Sequence, residues 1–81
     1  MSTGDKLIEQ MRRNPRADWH IDDFKTAAKA CGIAWRSPGG SHVIFVPGSG
    51  AGLSVPARRP IKPIYVRLFV AMIDRIRSED T

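Results

Sequence analysis

The run Gly40, Ser41 and His42 sets an imidazole where a glycine-rich turn becomes a strand. Gly39 and Gly40 carry no side chain that would hold a phosphate away from the backbone. Imidazole exchanges protons near neutral pH, so a histidine at this position suits removal of the proton from a ribose 2′-hydroxyl or its delivery to a leaving 5′-oxygen. RNA cleavage by that route needs a proton carrier and positive charge opposite the developing phosphorane, without a metal. Arg36, Arg58, Arg59 and Lys62 are the candidates for the charge, and Gly40 and Ser41 for contact with the phosphate. Two plainer readings stand beside this one: His42 as a solvent-facing strand histidine, and residues 58–62 as a solvated basic loop.

The remaining reactive side chains are better explained by folding. His20 lies beside Trp19 just ahead of a helix start, where packing or capping is its expected role. Cys31 falls on the apolar face of a helical repeat and reads as a core residue. Asp22 and Asp23 supply the negative charge that a helix N-terminus favours. Two histidines and one cysteine, with no paired carboxylates at ligand spacing, lead us to expect no dedicated metal site and no cofactor.

The elements that must position these residues follow from periodicity. Leu7, Ile8 and Met11 predict a short helix over residues 5–13, closed by Asn14 and Pro15. Asp22 is the expected N-cap of a second helix, in which Phe24, Ala27, Ala28 and Cys31 share one face and Gly32 takes the left-handed C-terminal position. Residues 33–35, 41–46 and 53–55 read as strands. The first two are joined by a type II turn through Pro38 and Gly39, and the last two by a turn through Gly48, Ser49, Gly50 and Gly52. Pro63 opens a final helix whose apolar repeat is Tyr65, Leu68, Phe69, Met72, Ile73 and Ile76. Arg67 on that helix, and Lys25 and Lys29 on the second, extend the basic patch if they face it.

This order predicts an α+β fold with a three-stranded antiparallel sheet, helices on one face and an extra N-terminal helix. Strand alternation sends Val43 and Phe45 one way and His42, Ile44 and Val46 the other. Ile44 and Val46 on a helix-free face form the expected partner interface.

Composition bounds the rest. A chain of 81 residues is one domain, with 5–21 as N-terminal helix and connector and 22–76 as the core. Thirteen Lys and Arg against eight Asp and Glu give a net charge of +5, which favours polyanions such as RNA. Asp5, Lys6 and Glu9 interrupt any signal-peptide run, no stretch reaches membrane-spanning length, and a single cysteine forms no internal disulfide, so a cytoplasmic location is expected.

The Gly40, Ser41, His42 run opening a strand, the aromatic Phe45 after it, Val55 and Pro56 ending the next strand, and the closing amphipathic helix together resemble the HicA family over residues 22–76. The resemblance implies a double-stranded-RNA-binding-like fold and a ribonuclease toxin of a type II toxin-antitoxin system. It further implies mRNA as substrate, translation inhibition as outcome, a HicB-type antitoxin covering the active site, and His42 as catalytic residue. Many members carry a histidine after the strand-ending proline, where this chain has Ala57, Arg58 and Arg59. The alternatives from the residues themselves are a non-catalytic RNA-binding module and a protein-interaction domain.

Overall fold

In the computed structural model, residues 2–37, 40–48 and 52–79 are described. The element order is α1 (Thr3–Arg13), α2 (Ile21–Ala30), β1 (Ala34–Arg36), β2 (His42–Val46), β3 (Leu53–Pro56) and α3 (Pro63–Glu79). Among the described residues the fold is therefore α+β, with three helices and an open antiparallel sheet in the order β1-β2-β3.

Local chemistry explains where the elements begin and end. The first helix starts earlier than its apolar repeat because Ser2 and Asp5 form a capping box: the Asp5 amide donates to Ser2 Oγ at 3.2 Å, and the Ser2 amide donates to Asp5 Oδ2 at 3.3 Å. In α2 the N-cap is His20 rather than Asp22, because Asp23 reaches back to accept from the His20 amide at 3.1 Å. With Asp22 as cap, the equivalent position would fall to Lys25, which has no acceptor to offer. Gly32 takes a φ of +71° and ends α2 as expected. The Ile33 amide donates to the Ala28 carbonyl at 2.9 Å and the Gly32 amide to the Lys29 carbonyl at 3.2 Å, a Schellman closure. That closure uses the Ile33 amide, so β1 begins one residue later than the pattern predicted, at Ala34. Pro38 and Gly39 of the expected first turn, and Ser49 and Gly50 of the second, lie outside the described residues.

The register pairs Trp35 with Phe45, Val43 with Val55, and Phe45 with Leu53, so these side chains share the helix face. Phe24 of α2, Phe45 of β2 and Phe69 of α3 are fully buried, with ring centroids 4.6 Å apart for Phe24 and Phe69 and 5.1 Å apart for Phe45 and Phe69. This aromatic cluster joins two helices to the sheet. Leu68 departs from the predicted stripe: it is 46% exposed, while Val66 and Val70 turn inward beside Phe69 and Ile73.

The N-terminal helix packs on α2 and α3. A Cβ built on Gly4 would lie 2.3 Å from the Ala30 Cβ, so the two helices cross where only glycine fits. Arg12 forms a two-bond pair with Asp74, both bonds 2.8 Å, and Arg77 pairs with Asp5. The charges on α1 and α3 thus match in antiparallel order.

Candidate functional site

His42 opens β2 on the face away from the helices, with Ile44 and Val46 following it on the same side. Its Cα partner across the ladder is Pro56, and Ile44 pairs with Arg36 and Ser54, so Arg36 and Ser54 share His42's face. The imidazole is exposed, and Ser41 Oγ lies 3.3 Å from Nδ1. With Nδ1 occupied by that hydroxyl, Nε2 is the ring nitrogen open to exchange a proton with a bound group.

The ladder continues past Pro56, since the Ala57 amide donates to the Ser41 carbonyl at 2.6 Å. The connector that follows is pinned again at Ile61, which is 3% exposed and donates its amide to the Trp19 carbonyl at 3.1 Å. Trp19 is itself fixed by its indole donating to the Asn14 carbonyl at 2.9 Å. Between these pins, Pro56, Arg58, Arg59, Pro60, Lys62 and Tyr65 surround a cleft of about 460 Å3 whose walls are mostly apolar. Pro56, the ladder partner of His42, is one of the lining residues, and His42 itself does not line the cleft.

The four predicted cations do not behave alike. Arg59 is committed to Asp18, with Nη2 donating to Oδ2 at 2.7 Å and Nε shared between both carboxylate oxygens at 3.1 and 3.2 Å. These bonds hold the Asp18 carboxyl below its ordinary range and raise the Arg59 guanidinium. Arg36, Arg58 and Lys62 have no ion-pair partner among the described residues. Arg67 lies elsewhere, in a second cleft with Arg12 and Asp74, and does not join the patch. Lys25 and Lys29 stand on α2, in the helix layer behind the sheet from His42.

His20 sits at the N-cap of α2, and its Nε2 lies 3.9 Å from Asp18 Oδ2, so Asp18 bridges it to Arg59. Cys31 is half-buried, with Arg77 Nη2 at 3.6 Å from its sulfur. Among the described residues no group of three or more His, Cys, Asp or Glu is placed to hold a metal ion, and no helix is long and apolar enough to cross a membrane.

Sequence reasoning missed Tyr65 and Asp18 as parts of this region. Tyr65 belongs to the apolar repeat of α3 and packs partly on the core, so its second surface toward the cleft has no periodic signature. Asp18 meets Arg59 across a sequence separation of 41 residues, which nothing local announces.

Fold and site together define a small α+β domain with an exposed strand histidine and a basic, apolar-walled cleft that includes its ladder partner Pro56. Comparison with known proteins finds no matching family model, no matching curated sequence and no matching solved structure.

Proposed function

We propose that the chain is a HicA-type ribonuclease toxin that cuts mRNA with His42 as general acid or base. The observation that carries this reading is the placement of His42: exposed on the helix-free face and paired with Pro56, which also lines a cleft bearing Arg58 and Lys62. The sequence of α2, three antiparallel strands and α3 is also the order expected of a double-stranded-RNA-binding-like core.

In the reaction, the 2′-oxygen attacks the adjacent phosphorus, its proton passes to a base, and the 5′-oxygen leaves as it gains a proton. His42 Nε2 takes one of these two transfers, and solvent takes the other. Arg58, Lys62 and Arg36 stabilise the extra negative charge on the phosphorane oxygens. Arg59 contributes less, because Asp18 already offsets its charge. The chain then acts in the cytoplasm, and a HicB-type antitoxin covers the helix-free face through Ile44 and Val46, which is 40% exposed.

A non-catalytic RNA-binding module is the second reading, favoured by one observation: no imidazole is among the described residues lining the cleft. Incubating the chain and its His42→Ala variant with a long single-stranded RNA in a metal chelator separates the two. Cleavage by the unsubstituted chain, reduced about 100-fold or more in the variant, supports the ribonuclease. RNA bound by both and cut by neither selects the binding module.

A further inference from the structure

The cleft lined by Pro56, the ladder partner of His42, combines features that a phosphate-binding surface alone does not require. It is lined by Pro56, Pro60 and Tyr65, by Arg59, which Asp18 holds, and by Arg58 and Lys62, which have no ion-pair partner among the described residues. None of its described lining residues is acidic. A volume of about 460 Å3 lies within the range of small-molecule sites, so it is large enough for one nucleotide. Apolar walls with an aromatic ring suit the flat face of a base, and partnerless cations suit the phosphate attached to it.

We propose that this cleft is a slot for one unpaired nucleotide of single-stranded RNA, its base against Tyr65 and the prolines and its phosphate between Arg58 and Lys62. The proposal rests on the RNA reading of the His42 face, but not on catalysis there. Bases inside a duplex are stacked and paired and cannot enter, so the slot selects for single strands. Pro56 both lines the slot and is the ladder partner of His42, so a nucleotide seated here touches a residue one strand across from the imidazole.

The test is equilibrium binding by the full-length His42→Ala variant, which keeps the RNA intact. The probe is a short single-stranded oligoribonucleotide carrying one 2-aminopurine. Expected are quenching of the 2-aminopurine on binding, poor competition by a blunt duplex of the same sequence, and affinity weakened about tenfold by Tyr65→Leu but not by Tyr65→Phe. Far-UV circular dichroism checks that both tyrosine variants fold, and the quenching signal needs neither of them. Unquenched fluorescence in the bound state overturns the slot, as does equal competition by duplex RNA or by polyglutamate. Unchanged binding by a folded Tyr65→Leu also overturns it. Cleavage by the unsubstituted chain together with any of those results would leave the ribonuclease standing without the slot. Quenching and Tyr65 dependence without cleavage would leave the slot and remove the ribonuclease.

Discussion

Neighbouring side chains along β2 divide the work between two faces of the sheet. His42 points to solvent and Val43 to the core, a consequence of the two-residue strand period that needs no further arrangement. The residue-scale surprise is Asp18. Its carboxylate fixes one of the four cations that the sequence offered as phosphate ligands, and nothing in the run Arg58, Arg59, Pro60 foretells which arginine is taken. Asp18→Asn releases Arg59 to the cleft. RNA affinity should then rise at low ionic strength, and the slope of log affinity against log salt should steepen by about 0.7, the increment for one more phosphate contact on a single strand. Fluorescence anisotropy across a salt series measures it; an unchanged slope would mean that the freed guanidinium does not reach the RNA.

At the scale of elements, the N-terminal helix is held to the rest by one close crossing and two Arg–carboxylate pairs. Gly4→Ala puts a methyl against Ala30, and overpacking of this kind costs about 1–3 kcal/mol, more than the helix propensity gained. Urea denaturation should show the loss, with partial recovery in the double variant that adds Ala30→Gly. The pairs impose a pH dependence. The Asp5 carboxyl is held below its ordinary range by the Ser2 hydroxyl and then Arg77, and that of Asp74 by Arg12. A carboxyl with a depressed folded pKa adds stability above its unfolded value of about 4, and that stability disappears as the pH falls through the folded value. Thermal midpoints should therefore be flat near neutrality and fall below about pH 4. Asp74→Asn should cost no more than about 1 kcal/mol at pH 7, because the pair is solvent-screened, and should match the unsubstituted chain once both carboxyls are protonated.

For the molecule as a whole, a chain of 81 residues carries a total stability of about 4–12 kcal/mol. Its core converges on Phe24, Phe45 and Phe69, and Phe45→Ala should remove about 3–5 kcal/mol of that stability. Calorimetry should find this variant partly or wholly unfolded at 37 °C, whereas His42→Ala, three residues away on the opposite face, should melt close to the unsubstituted chain. A shared loss of stability in both would contradict the separation of scaffold and site.

The α+β class, the three strands and three helices, the Gly32 terminus and the face on which His42 lies were all legible in the sequence. Each is a local consequence of periodicity or backbone preference, expressed within a few residues. Boundaries shifted where a side chain or amide served a cap, as at Ser2, His20 and Ile33. Leu68 shows the limit of periodicity: a helix with apolar residues on more than one side does not state which of them the sheet will cover. The cleft lay beyond reach altogether. Pro56, Arg58, Lys62 and Tyr65 come together because the ladder ends at Ala57, Ile61 is anchored on Trp19 and Arg59 is tied to Asp18. The last two of these fastenings join residues about forty positions apart, and only the tertiary structure brings them within bonding distance.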